Sequence, residues 1–185
     1  QVIHREGAGQ ADLRLGWYGI DRHDPNWADR QVALAIMGGV FNSRLNTVLR
    51  EERGYTYGVS MNAQPFRAGG TIEIATSTQT STAKDLIEET LEIIAVKEGF
   101  SAEETAAAIG YLTLSAPLSL DTAEAVTAQG ATLAAARLDL DYVTSALAAL
   151  SKVTPSSAME AYQRLVDPAS ATTVVVADTS ELTNY

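Results

Sequence analysis

Hydrophobic and polar positions change period several times along the chain. Between Ala8 and Ile20 they alternate: Leu13, Leu15 and Trp17 fall on one side, Asp12 and Arg14 on the other. That period of two predicts a half-buried strand. HDPN then breaks the chain, and Asn26 is placed to cap a helix through WADRQVALAIMGGV, which Gly38-Gly39 interrupts or thins at its end. Asn42 or Ser43 can start a second helix, SRLNTVLREER, with Leu45, Val48 and Leu49 on its apolar face and a stop at Gly54. YTYGVSMNAQPF and GGTIEIATSTQ read as two strands joined by a hairpin at RAGG.

From Thr80 onward the period is helical. TAKDLIEETLEIIAVKEGF puts Leu86, Ile87, Leu91, Ile94 and Ala95 on one stripe and is expected to end at Gly99. Ser101 followed by Glu104 forms a capping-box pattern ahead of a helix that Pro117 kinks or ends. Asp121 is placed to cap the next helix, and Asp141 or Tyr142 to begin another. Thr154 with Pro155 opens the last helix, which Pro168 closes, and the β-branched run ATTVVVAD is a final strand. Four or so strands and many helices predict an α+β fold. The sheet is mainly antiparallel with helices packed on one face, a two-layer sandwich. Residues 1–185 read as a single domain with no repeat or low-complexity linker.

Composition narrows the chemistry. The 185 residues carry a formal net charge of -10, which disfavours nucleic acid and anionic membranes as partners. No cysteine is present, so disulfides and thiolate metal sites are excluded. No run of about 20 apolar residues predicts a membrane span. The abrupt start resembles that of a cut-out domain or a mature subunit. The compartment is left open, with a soluble cytoplasmic location slightly favoured. His4 and His23 have no second histidine at helical spacing, so neither H-E-x-x-H nor H-x-x-E-H exists. The glycine pairs form no nucleotide-binding loop, and no G-x-S-x-G supports a nucleophilic triad.

What remains is Phe41 to Ser60, FNSRLNTVLREERGYTYGVS. Here Arg44 and Arg50 leave the apolar helix face, and Tyr55 and Tyr57 are expected on one face of the following strand. Arginines at a helix end and tyrosines in a strand are also what propensity alone provides. The wider pattern is more specific. Gly38, Gly39, Ser43, Arg44, Leu45, Leu49, Arg50, Glu51, Gly54 and Tyr57 match the form G-G-x-x-S-R-L-x-x-x-L-R-E-x-x-G-x-x-Y. This resembles the C-terminal-type domain of the pitrilysin/insulinase zinc peptidases, the inverzincin family that includes the mitochondrial processing peptidases. The likeness extends to the upstream strand and the closing helix and strand.

The resemblance implies that zinc sits in a related H-x-x-E-H domain or subunit, the expected partner, and that this chain closes over the peptide. It implies that the Tyr57 hydroxyl donates to the oxyanion of the tetrahedral intermediate and that Arg50 holds a substrate carbonyl. Tyr55 is the rival for the tyrosine role. Further substrate contacts are expected from Arg44 and Tyr55, while Arg53 faces solvent or an acidic partner. With no metal of its own, the chain is expected to be inactive alone. It is either the C-terminal half of a longer subunit or the partner of a zinc-bearing chain. A structural assembly subunit of the same fold, or an unrelated peptide-binding module, is the alternative.

Overall fold

The computed structural model describes residues 1–66, 69–180 and 182. Strands β1 (Val2–His4), β2 (Ala11–Gly19), β3 (Val59–Phe66), β4 (Gly69–Thr78) and β5 (Thr172–Ala177) form one sheet in the order β1-β5-β2-β4-β3. Every pairing is antiparallel except β1 with β5. The mainly antiparallel α+β architecture expected from the sequence is therefore present. The RAGG hairpin joins β3 to β4 in register Phe66↔Gly69, but Arg67 and Ala68 lie outside the described residues.

The alternation in β2 decides which face is covered. Leu13 and Leu15 are fully buried and Trp17 nearly so, while Asp12, Arg14 and Tyr18 are exposed on the open face. Ile72 and Ile74 of β4 and Met61 of β3 continue the buried side. Against it pack α1 (Trp27–Leu34), α2 (Arg44–Asn46), α3 (Ala83–Ile94), α4 (Ala102–Ser115), α6 (Tyr142–Leu150) and α7 (Pro155–Gln163), in whole or in part, while α5 (Ala123–Ala135) lies outside this core. Both α1 and α2 widen into π-helical turns, at Ala35–Gly39 and Thr47–Glu52. By length and composition the stretch Trp27–Glu52 is apolar enough to cross a membrane, with mean hydropathy 1.3, but 61% of its apolar 18-residue window is buried inside the protein, as befits core-facing helices.

Several caps fall where the sequence puts them. Ser101 and Glu104 close both halves of a capping box on α4, and Thr154 with Ser157 does the same on α7, with Pro155 in its first turn. Other details differ. The side chain that caps α5 is Thr122, which accepts from Ala125 N, rather than Asp121. Asn26 occupies its cap position without a side-chain cap bond, and its N–H donates to Asp24 instead. Helix α3 ends at Ile94, well short of Gly99, because Val96 turns to a positive φ of 41° and buries its side chain while Ala95 faces solvent. Helix α7 ends at Gln163, and Pro168 starts a separate 3-10 turn. Strand β1 has no counterpart among the expected strands.

Candidate functional site

The stretch from α2 to β3 is built by its backbone bonds. In the π turn Arg53 N donates to Val48 O at 2.9 Å and Tyr55 N to Leu49 O at 2.9 Å. Gly54, at φ +65°, supplies the left-handed residue that lets the chain leave the helix. Leu45 and Leu49 are fully buried beneath this turn, with Val48 half-buried beside them.

The expected strand placement of the tyrosines is corrected. β3 begins at Val59, and residues 55–58 form an irregular crossing. Side chains take the place of ladder bonds there. Thr78 Oγ1 donates to Tyr55 O, and Thr56 Oγ1 donates to Ser77 O at 2.7 Å. Asn46, a buried residue that sequence reasoning passed over, clamps the start of β3. Its Nδ2 donates to Val59 O at 2.8 Å, and its Oδ1 accepts from Val59 N at 3.0 Å. An asparagine one residue past an S-R-L run carries no distinctive signal, because its partner lies thirteen residues ahead.

These anchors have opposite effects on the two tyrosines. Tyr55 is half-buried and packs against the core. Tyr57 is 99% exposed, held out by a backbone that is bolted on both sides. Asn46→Ala is expected to cost roughly 2–3 kcal/mol, because Val59 N and O lose their partners in a buried setting. Urea unfolding measures the loss, and an unchanged midpoint would remove Asn46 from this role.

Arg50 is partly buried, with its guanidinium carbon 3.7 Å from the centre of the Phe41 ring and Nη2 2.7 Å from Glu51. Stacking fixes the plane of the guanidinium without using its remaining N–H donors. Arg53 pairs with Glu89 of α3 at 3.0 Å, and that bond raises its pKa above the ordinary value.

Arg44 is engaged inside the chain. Nε and Nη2 grip the two Glu104 oxygens at 2.6 and 2.9 Å, Nη1 and Nη2 reach Glu98 O and Gly99 O, and the group lies 5.1 Å over Phe100. Phe100 in turn meets the buried Tyr162 edge-on at 5.8 Å. Arg44 thus ties α2 to the start of α4 and to α7, and contact with a substrate would compete with four hydrogen bonds.

The Arg44 hydrogen bond is the main reason the Glu104 carboxyl is lowered to about 2. A depressed carboxylate contributes stability that is present above the unfolded pKa of about 4.3 and lost as pH falls through the folded value. Acid titration is therefore expected to remove roughly 1–2 kcal/mol between about pH 4.5 and 2, after discounting for solvent screening. Glu104→Gln should flatten that part of the stability profile, and a profile identical to wild type would contradict the assignment.

Among the described residues, no group of three or more His, Asp or Glu side chains is placed to hold a metal ion.

The model of the peptidase M16 inactive domain matches residues 1–112, more than half of the sequence. The chain belongs to the peptidase M16 inactive-domain family. The M16 fold is shared with a peptidase M16 inactive domain from Pseudomonas fluorescens, at 25% identity and a TM-score of 0.87 over 95% of this chain and 42% of that one. A chain of complex III2 from Candida albicans is 16% identical with a TM-score of 0.84, over 100% of this chain and 47% of that one. The inactive peptidase domain of a candidate zinc protease from Bordetella parapertussis is 16% identical with a TM-score of 0.75, over 92% and 94%. This M16 chain spans less than half of the Pseudomonas and Candida chains. No curated protein matches it.

Proposed function

We propose that residues 1–185 act as the zinc-free clamp of an M16 metallopeptidase, closing over a peptide whose cleavage is driven from a zinc-bearing partner domain or subunit. The observation that carries this reading is Tyr57, whose ring and hydroxyl stand 99% exposed on an anchored crossing. An exposed aromatic gains little from its own chain, and an anchored one is preorganised for another molecule. The phenol O–H can donate to the oxygen of a peptide carbonyl as negative charge develops on it. Arg50, oriented by Phe41, keeps donors for a neighbouring carbonyl of the same peptide. Arg44 serves the clamp by holding α2 in place, and Tyr55 by seating the crossing.

Arg50→Ala should therefore weaken substrate capture more than chemistry, raising KM by roughly tenfold with a smaller change in kcat. The assay needs the peptidase assembled with its zinc-bearing partner, and an unchanged KM would remove Arg50 from the substrate site.

A second reading, a structural subunit without proteolytic work, draws on the likeness to a chain of complex III2. Purifying the protein with its natural partner separates the two. A partner that contains H-x-x-E-H and is activated by this chain supports the clamp, whereas one lacking the motif supports the scaffold.

A further inference from the structure

Beside the Arg50–Phe41 stack lies a groove of about 490 Å³ between the turn after α1 and helix α4. Its floor is formed by the buried Ile36 and Ala108, its walls by Phe41 and Tyr111, and its rim by Ala107 and Glu103. Phe41 is 69% exposed and Tyr111 53%, so both rings are open to an incoming group. We infer that this groove is a specificity subsite that takes a bulky apolar side chain of the bound peptide. The inference rests on the clamp reading of Arg50 and Tyr57.

Continuity with Arg50 selects a peptide side chain as the occupant. The guanidinium sits 3.7 Å above the centre of the Phe41 ring that walls the groove. A peptide whose carbonyl is held by Arg50 can thus lower an adjacent side chain onto that ring. Charge narrows the choice further. The ionisable groups on the lining besides Tyr111 are Glu103 and Glu104, and Glu104 is bound by Arg44. An acidic side chain is repelled at this rim, and a second copy of a chain with net charge -10 is a poor occupant. The volume lies in the range of sites that enclose small organic groups, roughly 300–1,000 Å³.

The test uses the assembled peptidase and two fluorescein-labelled peptides that differ only in carrying Phe or Ser at one scanned position. The wild type should prefer the Phe peptide by about tenfold or more at one position, both in kcat/KM and in binding to the zinc-depleted assembly. Ala107→Trp, which fills the groove from an exposed helix position, should reduce that preference to about twofold. Tyr111→Ser removes a wall without touching Arg50 and should lower it to an intermediate value, which keeps the test open if the tryptophan variant folds poorly. Wild type without a preference, or a preference that survives in both variants, overturns the subsite. Tyr57→Phe is run alongside. If it slows both peptides equally, the clamp stands whatever the groove does. If it slows neither, the clamp reading fails separately.

Discussion

Gly38→Ala is expected to destabilise the protein by about 3 kcal/mol or more, lowering Tm by on the order of 10 °C. A Cβ at position 38 would lie 2.5 Å from Met61 Cβ and 2.9 Å from Met61 N. The second atom belongs to the backbone of β3, which is bonded along its length to β4. Relief would therefore require moving the strand or the π turn, not rotating a side chain. Leu45 Cδ1, 3.1 Å away, is fully buried and has no room to retreat. Gly110→Ala is the matching control. It lies within α4 with nothing inside 4 Å of its added Cβ, and should be neutral or stabilising by roughly 0.5–1 kcal/mol. Thermal melts of the two variants decide the matter. Equal melting temperatures would mean that the close approach at Gly38 is not tight in solution.

This contact also changes the meaning of the glycine pair in the sequence motif. Read along the chain, Gly38-Gly39 looks like a helix end. In three dimensions Gly38 is the place where the first helix lies directly on β3. The crossing brings Met61 within reach of α2 and so helps set where Arg50 emerges. A contact between residues 23 apart leaves no periodic trace, so only the motif's family resemblance could have suggested it.

Other features were legible in proportion to how local their causes are. The Ser101–Glu104 capping box is a four-residue pattern and forms, as does the Thr154 cap ahead of Pro155. β2 and β4 alternate over nine and ten residues because one face is core and the other is open. Strand β1 has three residues, all exposed, and joins the sheet only through β5 at the far end of the chain. So short a segment shows no alternation. Residues 55–58 have strand-like composition, yet the hydroxyls of Thr56 and Thr78 capture the carbonyls of Ser77 and Tyr55. That competition between side-chain and ladder bonds is invisible to propensity. The stacking of Phe41 on Arg50 has no sequence signal, because the two stand nine residues apart, off any helical repeat, and only the turn between α1 and α2 brings the ring beneath the guanidinium.

In the proposed clamp, Tyr57 acts on the carbonyl of a bound peptide that zinc in another domain or chain activates. Removing its hydroxyl deletes one donor aimed at developing charge, a loss of about 2.7–4 kcal/mol in the transition state. The ring remains, and since Tyr57 is 99% exposed, the fold should be indifferent to the change. Binding of the ground-state peptide should change little, because the donor matters most once the carbonyl oxygen carries charge. Tyr55→Phe serves as the contrast. Tyr55 is half-buried against the core and its backbone is held by Leu49 O and Thr78, so the variant should leave turnover near wild type. The most direct measurement is the kcat of the assembled zinc peptidase carrying Tyr57→Phe in this chain. A fall of about 10²–10³-fold, with KM within about threefold and an unaltered melting temperature, is the expected result. Turnover at the wild-type rate in a correctly assembled enzyme would contradict it.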